Sequence, residues 1–140
     1  CIGVFPGGTV STSQRPFGRP LDPSWRRFTA RLIEKSGATV LPIFFEGQNS
    51  RLFQLASHLH STLRLALMIK EFRARTGGPV GVAIGERIPA KDLSGFAGDA
   101  PALMDYLRSE TYRLSTDPVA DLGYGFDFEE GHSAYAHRRF

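Results

Sequence analysis

Short apolar runs of β-type composition alternate along the chain with stretches whose apolar positions recur at helical spacing. Residues 1–5 (Cys1-Ile2-Gly3-Val4-Phe5) read as a strand that Pro6 ends, because proline has no amide hydrogen for a central ladder. Asp22-Pro23 reads as a helix start, an aspartate to cap free amides and a proline where its missing N–H costs nothing. Trp25, Phe28, Leu32 and Ile33 then recur at helical spacing up to a stop at Gly37. Residues 39–45 form a near-continuous β-branched and aromatic run, as expected of a strand buried on both faces, with Pro42 requiring an edge, a bulge or the unpaired side. Asn49-Ser50 are placed to cap a second helix through Leu52, Phe53, Leu55, Ala56 and Leu59. A third helical run over residues 61–75 carries Leu63, Ala66, Leu67 and Met68 or Ile69 and ends at Gly77-Gly78; the pattern allows one bent helix or two. Residues 79–84 read as another strand, closed by Gly85 and Pro89. Asp99-Ala100-Pro101 repeats the helix-start chemistry, and Leu103, Met104, Leu107 and Tyr112 make the face of a last helix to about Leu114. The order strand, helix, strand, helix, helix, strand, helix predicts an α/β fold with a partly parallel sheet flanked by helices. It occupies residues 1–116, and residues 117–140, rich in glycine and charge with no apolar period, form a polar tail.

Composition narrows the function. A chain of 140 residues, 41% hydrophobic and 22% charged, is one folded domain rather than a disordered segment. Its longest apolar stretch, residues 40–45, is far short of the roughly 18 residues that a spanning helix needs. A single cysteine, Cys1, leaves no internal disulfide and no multi-cysteine zinc site. Lys+Arg of 17 against Asp+Glu of 14 gives +3, enough to suit an anionic ligand or a membrane surface and too little for a nucleic-acid arm. Only Lys35, Lys70 and Lys91 are lysines; the arginine excess favours planar recognition of phosphate or carboxylate, and codon composition produces the same bias. The sequence opens on Cys1, directly inside an apolar run, which predicts that it is part of a longer protein.

The chemistry concentrates first in Phe5-Pro6-Gly7-Gly8-Thr9-Val10-Ser11-Thr12. A strand that ends in paired glycines lets backbone amides approach an anion, and Thr9, Ser11 and Thr12 add hydroxyls. The same glycines would also serve a plain tight turn. No Gly-Lys-Ser/Thr follows, so this is not a nucleotide P-loop. The segment resembles motif III of the glycerolipid acyltransferase superfamily, the lysophosphatidate acyltransferase-like enzymes, usually Phe-Pro-Glu-Gly-Thr-Arg-Ser, with matches at Phe5, Pro6, Gly8, Thr9 and Ser11. Leu41-Pro42-Ile43 is similar to the family's motif IV. The stretch from Phe44 through Glu46, Gly47, Asn49 and Ser50 to Leu52, Phe53 and Gln54 resembles the hemolysin-like branch, linked to lyso-ornithine lipid acylation in bacteria. The likeness covers about residues 2–114.

The resemblance implies acyl transfer from acyl carrier protein or acyl-CoA to a lyso-lipid hydroxyl at the cytoplasmic face of a bacterial inner membrane, with no cofactor and no metal. Phe5, Pro6, Gly7, Gly8, Thr9 and Ser11 would line the acceptor site, and Pro42 would shape the acyl or acceptor pocket. Two departures stand out. The family's motif III glutamate falls at Gly7 and its arginine at Val10, which turns the expectation from a glycerol phosphate toward a non-phosphate acceptor such as a lyso-ornithine lipid; Arg15 or Arg19 would be the nearest replacements for the cation. The family's His-x-x-x-x-Asp pair, in which histidine takes the acceptor proton and aspartate holds its tautomer, is missing as well. Five places beyond His58, His60 and His132 stand Leu63, Leu65 and His137. The resemblance therefore puts the general base upstream, with no catalytic residue in this sequence. A non-catalytic lipid- or anion-binding α/β module is the alternative.

His58 and His60, at the junction of two amphipathic runs, suit solvated or capping roles. Residues 52–72 carry leucines with Arg51, Arg64, Lys70 and Arg73 around them. That pattern fits a helix face lying in the headgroup region of a bilayer, and a stripe at that spacing is more often packed in the core.

Overall fold

The protein is described by a computed structural model over residues 1–15, 17–47, 51–59, 61–117, 119 and 122–127. It is a small mixed α/β domain with the order α1 (Arg27–Ser36), β1 (Ile43–Phe45), α2 (Arg51–Leu59), α3 (Ser61–Arg75), β2 (Val82–Ile84), a 3-10 helix (Ala90–Phe96) and α4 (Ala100–Tyr112).

The last helix anchors the core. Asp99 caps α4, its Oδ1 accepting from the Ala102 amide at 3.1 Å, with Pro101 in the first turn. Leu103, Met104 and Leu107 are buried against Ala30 and Ile33 of α1 and Leu93 of the 3-10 helix, and Trp25, Val40, Ile88 and Tyr106 close the edges. Each buried leucine, isoleucine or methionine there contributes about 1.5–3 kcal/mol by leaving water. The helix ends at Tyr112, two residues before the expected Leu114.

The same start signal behaves differently at α1. Its N-cap is Arg26, with no side-chain cap, because Asp22 is engaged elsewhere by the side chains of Ser11 and Trp25. The stop at Gly37 is as predicted: φ is +58°, and its amide reaches the Ile33 carbonyl at 3.0 Å. Ile33 is buried and Phe28 is exposed, so the inner stripe is narrower than the apolar pattern.

Strands β1 and β2 pair antiparallel, Ile43 with Ile84, Phe44 with Ala83 and Phe45 with Val82. The mixed α/β class predicted from the order of elements is seen; its partly parallel sheet is not shown among the described residues, where this antiparallel pair is the sheet and residues 1–5 join no ladder. One crossover helix between two strands returns the chain for a parallel pair, whereas β1 and β2 are separated by two helices packed on each other, which turn it back the opposite way. His60, where α2 meets α3, lies outside the described residues, as do Asn49 and Ser50, the expected cap of α2.

Pro42 sits at a bulge, as its missing N–H demands. The Gly85 amide donates to the Pro42 carbonyl at 3.0 Å, and Val40 and Ile88 exchange two hydrogen bonds of 2.9 and 2.8 Å. Between those pairs Leu41 alone opposes Glu86 and Arg87. Gly85 is required there, since a Cβ would meet the Pro42 ring at 2.9 Å.

The sheet has unlike faces. Phe44 points to α4 and meets the Tyr112 ring edge-on at 5.5 Å. The opposite face, Ile43, Phe45, Val82 and Ile84, is exposed. The run over 39–45, predicted to be buried on both faces, is covered on one.

Of the polar tail beyond residue 116, residues 122–127 return to the body. Gly125 donates to the Asp22 carbonyl at 2.8 Å and Phe126 to the Thr12 carbonyl at 3.0 Å, beside the isolated antiparallel bridge between Thr12 and Leu21. A Cβ on Gly125 would stand 1.7 Å from the Leu21 carbonyl oxygen, so no side chain fits.

Candidate functional site at the glycine turn

Phe5, Pro6, Gly7 and Gly8 form a turn closed by the Gly8 amide donating to the Phe5 carbonyl at 3.2 Å, with Gly8 at φ +68°. The Pro6 carbonyl accepts from the Arg26 amide at 2.9 Å, which docks the turn on the start of α1. Gly7 is buried, and a Cβ there would stand 3.5 to 3.6 Å from the Asp22 carboxyl group.

Asp22 is the hub beneath the turn. Its carboxylate accepts from the Ser11 hydroxyl and, at 2.9 Å, from Trp25 Nε1; its amide donates to the Tyr112 hydroxyl at 2.9 Å. Burial, then the nearby Asp22 charge, pushes the Tyr112 phenol up from its ordinary range, against the opposing Arg108 charge. Arg108, only 2% exposed, lies at 5.2 Å over the Tyr112 ring and 4.8 Å over Tyr124. Its Nη2 donates to the Asp22 carbonyl at 3.0 Å and the Gly123 carbonyl at 2.6 Å. One buried guanidinium thus ties α4 to the chain after the turn and to the returning segment. Its Nε is buried without a hydrogen-bond partner among the described residues.

Cations reach the turn from two helices. Arg64 of α3 donates from Nη2 to Thr9 Oγ1 at 3.3 Å, and burial pulls its guanidinium pKa down. The Arg26 side chain passes beside Gly8, 3.8 Å from where a Cβ would stand, and pairs with Asp127 at 3.5 Å. Arg19, one of the two replacements expected from the sequence, instead binds Asp117 at 3.2 Å. A carboxylate, Asp22, and a cation, Arg64, thus stand beside the turn. Neither was legible in the sequence, because 55 positions separate Arg64 from Thr9 and 11 separate Asp22 from Ser11. Asp22 itself was visible only as a helix cap.

Phe5 marks the other border of the site. Largely exposed, its ring lies 6.1 Å from Phe45 on the open sheet face. Pro42 is not brought to the turn: it is buried on the α4-facing side of the hairpin, beside a groove shared with Tyr106, Glu110 and Leu114.

His58 departs from the solvated role expected for it. Its Nε2 is buried without a hydrogen-bond partner among the described residues, and its ring meets Phe126 at 5.7 Å. One helical turn earlier, Gln54 accepts from the Ser13 amide at 3.2 Å, so α2 braces the chain beyond the turn. Among the described residues no group of three or more His, Cys, Asp or Glu side chains converges as a metal site.

No protein-family model, curated protein or solved structure matches this chain.

Proposed function

We propose that this chain is the acceptor-side part of a lipid O-acyltransferase domain, which moves a fatty acyl group from acyl carrier protein or acyl-CoA to the hydroxyl of a lysophospholipid or lyso-ornithine lipid. The observation that carries the reading is the position of the glycine turn on a border. On one side stand Ser11, Thr9, Asp22 and Arg64; on the other, Phe5 leads onto the exposed apolar face of Ile43, Phe45, Val82 and Ile84. A lyso-lipid needs both environments within one molecule's length, hydrogen-bonding groups for its head and apolar surface for its tail. A tight turn with a purely structural purpose requires neither.

The reaction joins the acceptor oxygen to the thioester carbonyl carbon and expels the thiolate. The acceptor proton needs a base, which the reading assigns to a His-x-x-x-x-Asp pair upstream. In this chain the Ser11 hydroxyl donates to Asp22 and can accept from the acceptor, while the half-buried Arg64 fixes Thr9 and offers its charge to an anionic head. The open sheet face then belongs to the acyl chain or to the upstream half, and the enzyme works peripherally at the cytoplasmic side of the inner membrane. Among the described residues no helix is long and apolar enough to cross a membrane.

The test is radiolabelled acyl transfer by the full-length protein, with lyso-ornithine lipid and lysophosphatidate offered as acceptors beside acyl carrier protein or coenzyme A thioesters. Transfer that is abolished by replacing the upstream histidine and absent from residues 1–140 alone is the expected result. Transfer by residues 1–140 alone, or a parent protein with no such histidine and aspartate ahead of Phe5, overturns it. Vesicle binding by the full-length protein without thioester consumption would favour the non-catalytic lipid-binding module.

A further inference from the structure

Helix α3 buries the wrong side of itself for a core helix. Its row Arg64, Leu67 and Glu71, at i, i+3 and i+7, is half-buried toward the body. The apolar stripe Leu65, Met68, Ile69 and Phe72, at i, i+3, i+4 and i+7, faces away, with Leu65 59%, Ile69 64% and Phe72 74% exposed. Its exposed charges, Lys70, Arg73 and Arg75, are all positive, and its one acid, Glu71, lies in the inward row.

We infer that this outward stripe docks in the headgroup region of an anionic lipid bilayer, with α3 lying in the plane of the membrane and Lys70 and Arg73 on lipid phosphates. Charge complementarity selects this occupant. Lys70 and Arg73 share one open groove with Ile69, and Glu71, on the other border, is turned inward; cations beside an exposed apolar strip suit an interfacial helix, whose apolar side sinks about 5–10 Å while its cations meet anionic lipid. A second copy packed on the same stripe by two-fold symmetry would bring Lys70 and Arg73 against their equivalents, like charges across one interface. At 15 residues α3 is too short to span a bilayer. The inward row adds a reason that rests on the acyltransferase reading: Arg64, one helical turn before Met68 and at the border of the stripe, holds Thr9 of the glycine turn. Docking α3 therefore brings that turn to the lipid surface from which its acceptor would be drawn.

The experiment is co-sedimentation of the full-length protein with phosphatidylcholine vesicles, with and without phosphatidylglycerol, and no acyl donor present. The I69E/F72E variant should bind at least roughly tenfold more weakly to both. K70A/R73A should lose roughly thirtyfold on the phosphatidylglycerol vesicles and nothing on phosphatidylcholine alone. These side chains are exposed, so circular dichroism and Tm should stay at wild-type values, and an F72W variant should show blue-shifted emission quenched by brominated lipid. Wild-type vesicle binding by I69E/F72E, or an F72W emission indifferent to vesicles, overturns the proposal. So does a stripe variant that changes the oligomeric mass in sedimentation velocity and leaves vesicle binding intact. Acyl transfer to lyso-lipid in detergent micelles separates the two readings. If wild type fails there and α3 still governs vesicle binding, the enzyme reading falls and the docking surface stands.

Discussion

Two pairs of phenylalanines divide the molecule into a closed side and an open side. Phe53 on α2 is fully buried, whereas Phe72 on α3 is 74% exposed. On β1, Phe44 packs against Tyr112 of α4, and its neighbour Phe45 looks outward toward Phe5. The residue type is constant within each pair. What differs is whether other residues stand over it, which for Phe44 is α4. Apolar composition in an element thus measures its capacity for burial, and the facing element decides whether that capacity is used.

The largest expected break between the sides comes from F53A. Removing a fully buried ring should cost about 3–5 kcal/mol, read as a lowered urea midpoint. Next is R108M, which keeps the volume and strips donors from the carbonyls of Asp22 and Gly123; a loss of about 3 kcal/mol is expected, together with proteolytic release of the segment around Gly125. G85A forces a Cβ against the Pro42 ring at 2.9 Å and the Leu114 methyls at 3.1 and 3.2 Å, and should cost about 1–3 kcal/mol.

Tyr112 gives a pH signature of the closed side. Its phenol holds its proton more tightly in the folded chain than in the unfolded one, so its contribution is complete below the unfolded pKa of about 10 and is lost as pH rises through the folded value. Urea midpoints should therefore fall on going from about pH 9 to about pH 11, and Y112F should flatten the part of that fall that tyrosine causes. At the small end, F72A on the open side should change stability by less than about 0.5 kcal/mol in the same assay. A large loss there would mean that α3 is covered and that the two sides are alike.

The extent to which the chain's own pattern foretold this arrangement varies by element. The start of α4 at Asp99 and Pro101 was fully legible, because capping is a contact over three residues. The same pair of residue types at Asp22 and Pro23 misled, because the Ser11 hydroxyl, from before the helix, and the Trp25 indole take the Asp22 carboxylate. The glycine turn was recognisable as a possible anion site from Gly7, Gly8 and the hydroxyls near them, yet its companions Arg64 and Arg108 were not, since nothing local distinguishes them from the other arginines.

By itself the sequence determined the helices, the turn at Gly7 and Gly8, the bend that Pro42 imposes and the mild positive charge, all consequences of short-range geometry and composition. Only the tertiary structure decided the antiparallel pairing of β1 and β2, the return of residues 122–127 to Thr12 and Asp22, and which of two similar apolar helices was buried. Local propensity acts within a few residues. Pairing and burial depend on partners tens of residues away, whose identity is fixed when the layers close.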